Sequence, residues 1–224
     1  PYGQKVKNNR LEPILKKLLK TSKYKQRRKA INTFNANNEF FKKGMAITPV
    51  KFGISFTTSF LNQAGALVHI YKDGTVLVNH GGTEMGQGLH TKISQISALE
   101  LGIDIEKVKV NATSTAKVPN TSATAASAGT DLNGMAVKNA MDKLKKRIGK
   151  RVCDKFNEQH PKKGKLSKAS DIRFKNNTVY DMANPKRKTS FTDAVLDAYF
   201  HQVSLSTTGY YKTPGIYFDR EKGK

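Results

Sequence analysis

"NHGGTEMGQGLHTK", residues 79–92, decides how the chain is read. Gly81, Gly82, Gly86 and Gly88 crowd into eight residues, and an apolar pattern of helical spacing begins at once with Leu89, Ile93 and Ile96. A backbone that bare at the mouth of a helix has two explanations. Glycines let the main chain come close to a ligand, and exposed amides at a helix start attract an anion or accepting oxygens. Alternatively, the stretch is a tight strand-to-helix turn that holds nothing. Spacing excludes two phosphate loops. A Walker loop needs Lys and then Ser or Thr after its last glycine, whereas Gly86 is followed by Gln87 and Gly88; a dinucleotide turn needs glycine where Thr91 stands.

Working outward, "AGALVHIYKDGTVLVNH" (64–80) places two apolar strands around Lys72, Asp73 and Gly74 and predicts a hairpin that ends at the glycine stretch. A helix is expected over 88–101 and a strand within "KVKVNATST" (107–115). "NTSATAASAGT" (120–130) is a second bare loop, followed by Leu132, Met135, Ala136, Ala140, Leu144 and Ile148 at helical spacing, with Thr130 or Asp131 as the expected cap. Two loops of this kind, each opening a helix, could wall one polar, phosphate-bearing site. Small residues serve a dense packing contact equally well. Towards the start, Leu11, Ile14, Leu15, Leu18 and Leu19 predict an amphipathic helix, and a second is expected from Ser22 to about Asn37. Residues 42–56 alternate and predict a strand interrupted at Pro49 and Gly53. Weak strands are expected near 171–180 and a short helix near "FTDAVLDAYF"; "VSLSTTGYYKTPG" (203–215) has too little periodicity to assign.

The chain has 224 residues, 37% of them hydrophobic, enough for one large or two small globular domains. No apolar run approaches the roughly 18 residues of a membrane span, so a soluble, cytoplasmic protein is expected. The start at Pro1 suggests a processed product or a piece. A single cysteine, Cys153, excludes an internal disulfide and a self-contained iron–sulfur cluster. His69, His80, His90, His160 and His201 lack ligand spacing. The net charge of +23 raises nucleic acid as a partner. Its basic runs, "KLKKRIGKR" (143–151), "PKKGKLSK" (161–168) and "NPKRK" (184–188), have no interleaved aromatic platform, so a solvated lysine-biased surface is the expectation and nucleic-acid binding the alternative.

"VKFGISFT" (50–57), "LNQAGALVHIYKDGTVLVNHGGTEMGQGLHTK" (61–92), "VPNTSATAAS" (118–127) and "VSLSTTGYYKTP" (203–214) together resemble the molybdenum-cofactor-binding region of the xanthine dehydrogenase family. "YGQKVKNN" (2–9) and "RRKAINTFNANN" (27–38) extend the resemblance over nearly the whole chain. It implies an incomplete α+β molybdopterin-binding domain of mixed sheets and packed helices, with a helical lead-in over 1–40 and the cofactor region over 41–224. Met85, Gly86, Gln87 and Gly88 would bind the molybdenum–molybdopterin cofactor, and Thr124, Ala125, Ala126 and Ser127 would form the second wall. Phe56 and Thr57, with Ala125 and Ala126, would meet the substrate. "FGISFT" with "TSATAAS" resembles xanthine dehydrogenases rather than aldehyde oxidases, which implies a purine. The metal would be held through molybdopterin, not by side chains.

The family reaction is oxidative hydroxylation of hypoxanthine to xanthine and of xanthine to urate, with electrons leaving through 2Fe-2S clusters to FAD on other domains or subunits. The family's general-base glutamate lies in a Gly-Glu segment absent here, and Glu84, inside the cofactor loop, does not replace it. An upstream glycine-rich loop, the substrate-orienting glutamate and arginine, and a later pterin segment are absent too. Lys43 departs from the arginine common in the family. The expectation is a middle piece of a longer subunit, inactive alone and leaving apolar surface uncovered.

Overall fold

The computed structural model describes residues 7–50, 52–118, 121–159 and 166–223. Most of "YGQKVKNN", Lys51, Pro119 and Asn120, His160 and most of "PKKGKLSK" lie outside them. The contacts divide the chain into two units, residues 1–53 with 219–224, and residues 54–218.

The first unit carries α1 (Leu11–Thr21) and α2 (Tyr24–Ala36), both close to expectation. Lys23 between them takes a left-handed conformation, φ 50°, which turns the chain without a loop. The apolar stripe of α1 stays exposed: Leu11, Ile14, Leu15 and Leu18 are 40–60% accessible. The expected strand over 42–56 does not form; its described residues are without regular ladder bonds. Alternation becomes a strand only where a partner offers main-chain groups, and Pro49 removes a donor. The segment is instead held by side chains of α2. Asn35 bonds both the amide and the carbonyl of Lys43, at 2.8 and 2.9 Å, and the Lys43 ammonium lies 3.9 Å from the centre of the Phe34 ring.

In the second unit the predicted hairpin is β1 (Gln63–Ile70) with β2 (Val76–His80), in register Ala66↔His80, Val68↔Val78 and Ile70↔Val76. Gly74 closes the turn at φ 81°, a conformation glycine adopts without steric cost. The glycine stretch leaves β2 and enters α3 (Leu89–Leu101), and the chain returns as β3 (Val108–Val110), parallel to β2. β3 is much shorter than the nine-residue "KVKVNATST" suggests.

α4 runs from Gly129 to Gln159, longer than its sequence pattern because Val152 and Phe156 continue the buried stripe. It starts ahead of both expected caps, leaving Thr130 and Asp131 inside the first turn. A small antiparallel sheet follows, β4 (Ile172–Lys175), β5 (Thr178–Asp181) and β6 (Asn184–Ser190), then α5 (Phe191–Phe200), capped by Ser190, whose hydroxyl accepts from the Asp193 amide at 3.0 Å. β6 is the basic run "NPKRK", read above as solvated surface; Pro185 is tolerated there because β6 is an edge strand.

The unassigned "VSLSTTGYYKTPG" becomes β7 (Ser206–Lys212), which pairs antiparallel with β1 and completes a mixed sheet of order β3-β2-β1-β7. α4 lies on this sheet so closely that a Cβ at Gly209 of β7 would stand 1.9 Å from the Ala136 carbonyl oxygen. The core is the apolar face of that contact: Ala64, Ala66, Val68, Val78, Ala136, Val137, Ala140, Met141 and Leu144 are all inaccessible to solvent.

The basic run on α4 is also partly structural. Arg151 is buried, with a bidentate pair of bonds to Glu158 at 2.7 and 3.0 Å and a bond to Asp197 of α5 at 2.8 Å. Among the described residues no helix is long and apolar enough to cross a membrane. The architecture is α+β.

Candidate cofactor site

The glycine stretch starts from a buried anchor. His80, the last residue of β2, is 1% accessible, and its Nδ1 accepts from the Gly82 amide at 3.1 Å. Gly82 has no room for a side chain, since a Cβ would come within 2.5 Å of Leu89 and 2.8 Å of the Asn133 amide nitrogen. The Gly82 carbonyl is closed by the Thr113 hydroxyl. Gly86 and Gly88 differ: open space surrounds them, and their positive φ, 97° and 74°, is what calls for glycine.

Side chains of the stretch bind its own backbone. Gln87 receives the Met85 amide at 2.6 Å and donates to the Thr83 carbonyl at 2.9 Å. Glu84 accepts the amides of Gly86, Gly88 and His90 at 2.9, 3.0 and 2.9 Å. These bonds, the His90 amide foremost, hold the Glu84 carboxyl below its ordinary value. The opening of α3 thus already holds a carboxylate, which the glycine spacing did not reveal.

Beside this stretch lies the small-residue loop. The Thr83 amide donates to the Thr124 hydroxyl at 2.8 Å, joining the two. Ala126 and Ser127 are both left-handed, φ 52°, and turn the loop into α4. An open pocket of about 430 Å³ separates the loops, lined by Met85, Gln87, Leu89, Lys92, Thr124, Ala125, Ser127, Gly129 and Thr130. Of the residues expected to hold a cofactor, Met85, Gln87, Thr124, Ala125 and Ser127 line it; Gly86, Gly88 and Ala126 stand in the same two loops. Lys92, one turn into α3, was missed; its ammonium donates to the Gln87 carbonyl at 3.0 Å.

Phe56 and Thr57 do not line this pocket. They follow Ser55, which is tied to the small-residue loop: its amide donates to the Ala126 carbonyl at 3.1 Å from a backbone of φ 99°. Buried Asn62 fixes Phe56 by accepting its amide at 2.8 Å and donating to its carbonyl at 2.9 Å. Phe56 is half-buried and Thr57 exposed. The wall made by the small-residue loop and the start of α4 carries the hydroxyls of Thr124, Ser127 and Thr130, and the facing wall a carboxamide, Gln87, and an ammonium, Lys92, a donor set suited to a polar, phosphate-bearing ligand.

The family model for the molybdopterin cofactor-binding domain matches residues 17–224. The chain belongs to that family. It is 44% identical over 225 residues to the xanthine dehydrogenase/oxidase of Gallus gallus, and 45% identical over 218 residues to the xanthine dehydrogenase of Calliphora vicina. Those alignments cover 100% and 97% of the chain but only 14% of each relative. The fold is shared with quinoline 2-oxidoreductase from Pseudomonas putida 86 (TM-score 0.59, 23% identity, 68% of this chain and 19% of that one). It is shared also with a Cu,Mo-CO dehydrogenase (TM-score 0.59, 20% identity, 70% and 19%).

Proposed function

We propose that the chain forms part of the molybdenum-cofactor and purine-binding site of a xanthine dehydrogenase-like enzyme. The observation that carries this reading is the pocket of about 430 Å³ shared by the glycine and small-residue loops. Met85, Gln87, Thr124 and Ser127 would hold the cofactor there, with Gly86, Gly88 and Ala126 shaping the two loops, and Lys92 would balance negative charge on it. When bound, molybdenum–molybdopterin supplies oxidative hydroxylation of a purine carbon, of hypoxanthine and then xanthine, towards urate.

The protein's own contribution is placement. Ala125, with no side chain beyond Cβ, leaves room for a flat ring, and Phe56, held by Asn62 and tied through Ser55 to Ala126, would orient that ring by its face. Glu84 is unsuited to general-base work because its carboxylate is committed to three amides. On this reading the base comes from other parts of the enzyme, as do the 2Fe-2S clusters and FAD, and the chain is inactive alone.

The test is molybdenum analysis together with xanthine turnover on the protein from its native source, with any partner chains attached. Stoichiometric metal with turnover is the expected result. Absence of both would reduce the loops to a retained fold.

A further inference from the structure

A free helix N-terminus is an anion site, and the first-turn amides of α3 face the glycine stretch. Here a carboxylate of the chain already stands at that end, taking the His90 amide of α3 together with the amides of the N-cap Gly88 and of Gly86 ahead of it. Glu84 stands four residues ahead of the N-cap Gly88, and its two oxygens gather three amides: Oε1 takes Gly86 at 2.9 Å and Gly88 at 3.0 Å, and Oε2 takes His90 at 2.9 Å. Met85 and Gln87 alternate with these residues along the loop; Met85 is 66% accessible and both line the pocket. Gln87 closes the other half of the loop through the Met85 amide and the Thr83 carbonyl. α4 contrasts with α3: among the described residues no side-chain oxygen accepts its first-turn amides, although its first residues, Gly129 and Thr130, line the same pocket.

We infer that Glu84 is a positioning residue that acts as a resident anion: it occupies the N-terminus of α3, keeps a ligand's phosphate away from those amides, and sets the loop geometry that presents Met85 and Gln87. The statement about the loop holds for the chain by itself. Its consequence for a phosphate-bearing ligand rests on the function proposed above.

Inorganic phosphate is the probe, followed on the 15N-labelled 224-residue chain by the amide resonances of Gly86, Gly88 and His90. In the native chain phosphate leaves the three unmoved over the millimolar range. In Glu84→Ala they move together and saturate, with phosphate affinity at those amides raised about tenfold. Glu84→Gln keeps one accepting oxygen and loses the charge, so it retains the native loop shifts in part and gains an intermediate phosphate response. Native amides that follow phosphate as the Ala variant does, or a folded Ala variant that ignores it, would overturn the inference. Should both variants unfold, scalar couplings across the hydrogen bonds of the native chain decide: couplings from the Glu84 carboxylate to the three amides support it, and a carboxylate free in solvent sinks it. None of these readings depends on molybdenum, so a failure of the proposed function leaves them intact.

Discussion

The amide of Thr83 donates to the hydroxyl of Thr124 at 2.8 Å, so the glycine stretch after β2 and the small-residue loop before α4 are held as two walls of one pocket by residues 41 positions apart. Thr124→Val keeps the shape and deletes the acceptor. The variant is expected to lose about 1 kcal/mol in urea denaturation, and Thr124→Ser to recover most of it. In the cofactor-loaded protein, molybdenum retained after gel filtration should fall for the valine variant and not for the serine one.

Glycines of one loop should differ in cost according to why each is glycine. A Cβ at Gly82 would stand 2.5 Å from Leu89 and 2.8 Å from Asn133, both held in packed surroundings. Gly82→Ala is therefore expected to cost about 2 to 3 kcal/mol through overpacking. Gly88→Ala meets open space and carries only the left-handed backbone penalty at φ 74°, about 1 kcal/mol. Equal losses in chemical denaturation would contradict this division.

His80 should make the fold acid-sensitive. Burial first, and then the nearby His90 imidazole, push its pKa from 6.5 down to about 4. Its Nδ1 accepts from the Gly82 amide, and its Nε2 is buried with no partner among the described residues. The unfolded chain takes up the proton as pH falls through 6.5, whereas the folded chain resists it until about 4. Stability from this group is therefore complete above 6.5 and declines to its floor near 4, by about 3 kcal/mol in all. His80→Asn, which keeps an acceptor for Gly82, should flatten the urea midpoint over that window. Glu84 adds a separate loss at lower pH, since its depressed carboxyl stabilises above its ordinary value and stops doing so as pH falls through the folded one.

Gly209→Ala should be among the most damaging single-methyl changes in the second unit. The added carbon would lie 1.9 Å from the Ala136 carbonyl oxygen and 2.8 Å from the Ala140 amide nitrogen, so β7 must leave α4 or α4 must bend. A loss of about 3 kcal/mol or more is expected, read as a lowered denaturation midpoint with the slope retained. A near-neutral result would mean that β7 does not lie against α4 as described.

Local patterns of the chain were sufficient for the elements whose bonds are local. The hairpin around Asp73 and Gly74, the stripe Leu89, Ile93, and the stripe Leu132 to Ile148 each announce themselves within one window, because helix and hairpin bonds join near neighbours. The two bare loops before α3 and α4 were legible for the same reason, and their residue types resembled a cofactor site before any geometry was known. Three things waited for the tertiary structure. "SLSTTGYYK" became β7 only because β1, over 130 residues earlier, offers it a ladder, with Ala66 opposite Gly209. "KKGMAITPV" did not become a strand, since alternation without a partner edge satisfies no backbone group. Glu84 read only as a residue of the cofactor loop that does not supply the base, and its capture of the Gly86, Gly88 and His90 amides came with the folded loop. Periodicity records which face a residue turns to the core, whereas long-range pairing and the capture of a charge depend on distances that only the packed chain sets.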